Sequence, residues 1–223
     1  KKQSLQFQFK KFLAPEIEIH KALNRFHYRN RIQLHYNKLQ KKLGFSSRHG
    51  DIIEVPKCLL PNLQVKEKLD FLYQNEKWLE LIPGDVGHVE IYQTLEATNL
   101  NFNQKYAAQG FTQVNSKMNA LLQDLLDVIH AKYEGNAKKC RILDLFGGSG
   151  NLSKKLVHSS CLVIDVLDAE KLKGSSTQEF LNLDLYSKPA LQKVKSYFPE
   201  VDWLILDPPR TGFKDLGGWL TTL

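Results

Sequence analysis

The chain has no uninterrupted apolar run of the ~18 residues that a membrane-spanning helix needs, so no segment reads as a span. Cysteine is scarce. Cys58, Cys140 and Cys161 are odd in number and far apart, which favours reduced thiols over a disulfide framework. They also offer no spacing for a metal or iron–sulfur cluster, and no metal is expected. The opening Lys1-Lys2-Gln3-Ser4-Leu5 has neither the apolar stretch nor the small-residue cleavage site of a secretory signal, so a cytoplasmic protein is the reading. Repeats and low-complexity tracts are missing too. With 42% apolar and 25% charged residues in 223, the chain has globular composition and length for one domain or two small ones.

Acidic residues are nearly absent from the first fifty positions, where twelve Lys or Arg face only Glu16 and Glu18. Elsewhere the remaining nineteen cations are outnumbered by twenty-two acids, so the formal charge of +7 belongs to a segment. His20, His27, His35, His49, Phe26, Tyr28, Tyr36 and Phe45 share that segment. Cations that neutralise phosphates, interleaved with rings that stack on bases, suit a nucleic-acid surface. The same pattern also fits a solvated cationic face over core aromatics.

Alternation of polar and apolar residues predicts strands at Ile17–His20, Arg31–Tyr36, Asp51–Val55 and His88–Tyr92, with a helix from Leu63 to Leu72 carrying Val65, Leu69 and Leu72. Residues 1–100 thus read as a small, mostly antiparallel α+β unit. A polar link is expected near Asn99–Gln104. From Asn115 and Ser116, two capping residue types, Met118, Leu121, Leu122, Leu125, Val128 and Ile129 form an apolar stripe at helical spacing, closed by Gly135-Asn136. Strands at Arg141–Phe146, Cys161–Val166, Glu179–Leu183 and Val201–Leu206 then alternate with helices at Asn151–His158 and Pro189–Phe198. That order predicts a parallel, doubly wound α/β sheet over residues 101–223.

The stretch Ile142-Leu143-Asp144-Leu145-Phe146-Gly147-Gly148-Ser149-Gly150-Asn151 carries the most chemistry. A buried strand ends in an acid, glycines allow a tight turn and close backbone approach, and a helix N-terminus is expected to present amides to an anion. Gly148 and Gly150 lack the third glycine of the dinucleotide fingerprint. Leu204-Ile205-Leu206-Asp207-Pro208-Pro209 ends the fourth strand with an acid stiffened by two prolines, at the sheet edge where ligands of such folds bind.

The first motif resembles that of the class I S-adenosylmethionine-dependent methyltransferases, which have a Rossmann-like sheet. Together with Phe111-Thr112-Gln113-Val114-Asn115, Asp207-Pro208-Pro209-Arg210-Thr211-Gly212, Tyr28 to His35 and Gly44 to Cys58, the chain looks like the RNA uracil-5-methyltransferases. The resemblance implies S-adenosylmethionine as cofactor, with Gln113, Asp144, Phe146, Gly148, Gly150, Asn151, one of Asp165 or Asp168, Asp184 and Asp207 at its site. Ribosomal or transfer RNA is the implied partner, with Tyr28, Arg29, Arg31 and Arg210 facing it.

Carbon 5 of uracil is a poor nucleophile, so the chemistry needs a thiolate adding at carbon 6 and a base removing the carbon 5 proton. In the family the cysteine follows the Asp-Pro-Pro-Arg loop, downstream of Leu223, and none of the three cysteines here is assigned to it. The chain is expected to be an internal fragment with only part of the sheet. Two other readings stand beside this one. An exocyclic-amine methyltransferase shares an acid-and-proline loop but carries an aromatic where Arg210 stands, and an inactive RNA-binding module needs no cysteine.

Overall fold

The computed structural model describes residues 18–94, 96–104, 113–134, 139–167 and 174–223. The first of two sheets is antiparallel, in the order β3-β2-β1-β4-β5, with β1 Arg31–Asn37, β2 Lys42–Ser46, β3 Ile52–Glu54, β4 Val86–Gln93 and β5 Thr98–Phe102. Period-two alternation sends Ile32, Leu34 and Tyr36 of β1 to one buried face, where Ile32 pairs with Ile91 and Leu34 with Val89. Helix α1 (Leu63–Tyr73) lies on that face through Val65, Leu69 and Leu72, all fully buried. Its start is capped by Asn62, whose side-chain oxygen accepts from the Val65 amide at 3.0 Å. A 3-10 turn at Gln74–Glu76 and the short α2 (Trp78–Leu81) bring Trp78 into the same core.

Two strands escape the sequence pattern. β2 contains a glycine and few apolar residues. β5 reads as polar and occupies most of the expected link at Asn99–Gln104. Both form because β1 and β4 offer them unpaired backbone: β2 pairs with β1, and β5 pairs with β4 from Val89↔Phe102 to Gln93↔Thr98. The strand expected at Ile17–His20 does not form over its described part. Glu18, Ile19 and His20 are exposed with no sheet partner, and Ile17 lies outside the described residues.

The second sheet is parallel, in the order β8-β7-β6-β9, with β6 Arg141–Leu145, β7 Ser160–Asp165, β8 Gln178–Asn182 and β9 Trp203–Leu206. Its four strands and the helix α4 (Ala190–Tyr197) fall within two residues or so of the sequence expectation. The central strand is buried on both faces, as a near-continuous apolar run requires. Leu143, Leu145, Leu162 and Ile164 pack with Val194 of α4, with Phe198 just after it and with Trp219 of α5 (Leu216–Thr222), whereas Ile142, Cys161, Val163 and Ile205 pack on the other side.

Helix α3 (Ser116–Glu134) forms where expected but is turned the other way. Leu121, Leu122 and Val128 of its apolar stripe are 37%, 39% and 63% exposed, while Gln123 and His130 are buried. The polar face is the docked one: His130 lies 3.2 Å from the Ser159 hydroxyl, and Glu134 accepts from the Trp203 indole at 2.9 Å. The helix start is fixed by Asn115, whose side-chain oxygen accepts from the Met118 amide. Gly135 and Asn136 lie outside the described residues.

No helix among the described residues is long and apolar enough to cross a membrane.

Candidate active site

β6, β7 and β8 are laid down in one direction, and β9 returns to the far side of β6. The carboxyl ends of β6 and β9 therefore flank the point where strand order reverses, the usual ligand crevice of such sheets. The glycine turn leaves β6 there and the Asp-Pro-Pro loop leaves β9, with the Asp207 amide donating to the Leu145 carbonyl at 3.4 Å.

In the turn, Phe146, Gly148 and Gly150 have φ of 58°, 57° and 71°. For glycine this left-handed region is free, whereas Phe146 carries strain. A Cβ on Gly148 would meet nothing within 4 Å, so its backbone faces open space. Asp165, at the end of β7, accepts the Gly148 amide at 3.0 Å and the Leu167 amide at 3.2 Å. A carboxylate is thereby fixed at the lip of the turn. Asp168 lies outside the described residues.

Asp144 is wholly buried under the turn. The Ser153 hydroxyl donates to its Oδ2 at 2.6 Å, while Oδ1 has no hydrogen-bond partner among the described residues. Burial pushes its pKa up to about 6, against the Ser153 bond that lowers it, and the charges of Asp207 and Asp165 raise it further. These three acids from three strands thus lie within electrostatic reach of one another.

Sequence reasoning missed the residues that hold the turn in place. Gln178 of β8 donates to the Gly150 carbonyl at 2.7 Å and to the Ser153 hydroxyl at 2.9 Å. Asn151 and Asn119 of α3 exchange two amide bonds at 2.8 Å, and Gln123 donates to the Asn151 carbonyl. The available signal was Asn119 and Gln123, four apart on a helix otherwise read for its apolar stripe. These bonds also explain why the helix expected at Asn151–His158 is a chain of turns. Side chains of Asn151 and Ser153 are bonded elsewhere, and such bonds compete with helical ones. The helix N-terminus expected to present amides behind the glycines is therefore absent.

The remaining expected residues have other neighbours. Phe146 packs edge-on to Phe213 at 5.1 Å and tilted to Tyr186 at 5.6 Å. Asp184 is exposed and accepts the Tyr186 amide in a turn after β8. Gln113 is half-buried, and its carbonyl accepts from the Asn30 side chain at 3.2 Å. Arg210 is exposed beside the proline loop. Arg31 must be corrected: it is only 5% exposed, ion-paired with Glu90 at 3.4 Å and seated over the Tyr92 ring, so it does not face RNA. Arg29 and Tyr28 are half-buried.

No family model matches the chain. Its sequence is 28% identical over 212 residues to an uncharacterised RNA methyltransferase of Nitrosomonas europaea, covering 87% of this chain and 50% of that protein. It is 32% identical over 153 residues to the 23S rRNA (uracil(1939)-C(5))-methyltransferase RlmD of Dichelobacter nodosus, covering 63% of this chain and 32% of the relative. In sequence the chain is similar to RNA uracil-5-methyltransferases. The crystal structure of the Pyrococcus abyssi tRNA (uracil-54, C5)-methyltransferase, solved with S-adenosyl-L-homocysteine, has the same fold: TM-score 0.65 at 14% identity, over 99% of this chain and 68% of that one. The chain spans half the length or less of these two relatives. Both the glycine turn and the Asp-Pro-Pro loop fall within this shared Rossmann-like fold.

Proposed function

We propose that the chain carries the donor site and the RNA-facing unit of an enzyme that moves a methyl group from S-adenosylmethionine to carbon 5 of uridine in ribosomal or transfer RNA. The observation that carries this reading is Asp165 bonded to the glycine turn at the strand-order reversal, opposite Asp207. The site fits a nucleoside with a cationic amino-acid tail. Gly148 leaves room for close backbone approach, three carboxyl groups converge, and one of them has a buried oxygen, Asp144 Oδ1, without a partner. When bound, S-adenosylmethionine supplies an electrophilic methyl on its sulfonium.

Of the two acids left open by the sequence, Asp165 is the one proposed to hold the ribose hydroxyls. Asp144 supports the amino-acid tail from beneath, Asp184 and Phe146 border the base, and Gln113 approaches from the start of α3. Asn151 acts by tying the turn to α3, since both its amide atoms are bonded there. Asp207 and Arg210 face the target nucleotide. The boundary between the two units is proposed to follow β5, so that the first ends near residue 104. The cytoplasm is the compartment proposed for this work.

The thiolate that must add at carbon 6 is not one of the three cysteines. Cys140 and Cys161 are buried in the sheet core, burial pushes the Cys161 thiol up to about 12, and Cys58 packs against the first sheet. The whole protein supplies the nucleophile and base from other residues. Nucleoside mass spectrometry of RNA from a strain lacking the gene tests the reading: 5-methyluridine is expected to fall in one RNA class. An unchanged 5-methyluridine content in both rRNA and tRNA would refute it.

A further inference from the structure

Between the segment after Lys21 and the start of α3 lies a cavity of about 420 Å³ that the reaction described above does not use. Its walls are the segment Lys21–Tyr28, Asn62 at the start of α1, and the first turns of α3 from Asn115 to Asp124. We propose that it holds one nucleotide of the RNA substrate other than the target uridine, with the base against Tyr28 and the phosphate between Lys21 and Lys117. The proposal rests on the RNA-methyltransferase reading and adds a second contact point to it.

Several independent features favour a nucleotide. The volume lies in the range of small-ligand pockets. Lys21 and Lys117 have no carboxylate partner among the described residues, while Asp124, the acid on the wall, is already ion-paired with Lys155. The cavity is therefore net cationic. At its floor begins a 19-residue helix, α3. Asn115 caps the Met118 amide, and the amides of Ser116 and Lys117, like those of any first helical turn, have no intrahelical acceptor. Phosphate is the anion such a floor suits. Leu23, Met118 and Leu121 add apolar wall beside the Tyr28 ring, which is what a base needs and a free phosphate does not.

The wall is also held in place. His27 has a left-handed φ of 55°, and its ring Nδ1 lies 3.2 Å from the Pro61 carbonyl. The Tyr28 amide donates to the Leu60 carbonyl at 3.0 Å, and Asn30 bonds both the Gln113 carbonyl and the Ser116 hydroxyl. This route couples the cavity wall to the residues leading into the donor site. A strained residue kept by surrounding bonds is a common mark of a ligand-facing segment.

Transcripts of 23S rRNA and tRNA carrying 4-thiouridine, bound to the chain and irradiated, test the proposal by mass spectrometry of cross-linked peptides. Cross-links are expected in residues 21–28 and 115–121. RNA that binds but cross-links only elsewhere overturns the cavity and leaves the RNA reading standing, whereas transcripts that do not bind overturn both. Lys117→Glu is expected to weaken RNA binding several-fold and to lower the slope of log affinity against log salt by about one. Tyr28→Leu should cost on the order of ten-fold and Tyr28→Trp should restore it. Calorimetry with S-adenosylhomocysteine provides the control: loss of its affinity in Lys117→Glu equal to the loss for RNA would mean a fold defect and overturn the assignment.

Discussion

Asp144 has no exposed surface, one oxygen bonded to Ser153 and two other carboxylates nearby, so its charged form is disfavoured. Its folded pKa, near 6, lies above the unfolded one, and the folded chain therefore binds the proton more tightly. Stability contributed by the protonated acid is present at low pH and is lost as pH rises toward about 6, by up to ~3 kcal/mol. Thermal unfolding followed from acid to neutral pH should show that fall, and Asp144→Asn should flatten it. Above that pH the ionised carboxyl favours a cationic donor, so donor affinity should rise across the same window.

The glycine turn makes a sharper demand. A Cβ on Gly150 would come within 2.5 Å of the Gln178 amide nitrogen, at a φ that alanine resists. Gly150→Ala is expected to weaken S-adenosylhomocysteine binding by at least about ten-fold. Gln178→Leu should lose ~1–3 kcal/mol of stability by leaving the Gly150 carbonyl without its donor. Calorimetry and denaturant melts read these two outcomes.

Within the first sheet, Arg31 and Glu90 lie on neighbouring strands β1 and β4, both almost fully buried. Charges taken out of water are costly, and each offsets the cost only in the presence of the other. Arg31→Met alone should therefore cost ~3–5 kcal/mol in urea unfolding, while the double change Arg31→Met, Glu90→Leu should recover most of it. The same burial corrects the sequence reading of Arg31. Composition counts a cation in a basic segment but does not say which face of a strand it occupies. Helix α3 teaches the complementary lesson. Its periodicity identifies the helix, but the docked face is decided by Asn151, Ser159 and Trp203, which supply hydrogen-bond partners to Asn119, His130 and Glu134.

Among the described residues, three buried clusters form on two sheets, and the cysteines report on both sheets. Iodoacetamide on the native chain should label Cys58 first, with Cys140 and Cys161 reacting only on unfolding, because their thiols are buried and that of Cys161 is kept protonated. Peptide mapping over time checks the order. The carboxyl end of β6, flanked by the glycine turn and the proline loop, gives the second sheet its ligand crevice. Lys21 to Tyr28, a described part of the basic segment, share a cavity with the first turns of α3.

The residue order alone determined the parallel sheet, because apolar runs punctuated by glycine and proline at fixed intervals permit little else. It also determined the two loops that meet at the crevice and the family they resemble. Tertiary structure decided what depends on partners far along the chain. It made strands of β2 and β5 by pairing them to unsatisfied edges, turned α3 onto its polar face, and dissolved the helix after the glycines. It also buried Arg31 and placed Gln178 under Gly150. Local periodicity encodes how a segment can fold, but hydrogen-bond satisfaction across the chain selects which face is covered and which side chains remain free to act.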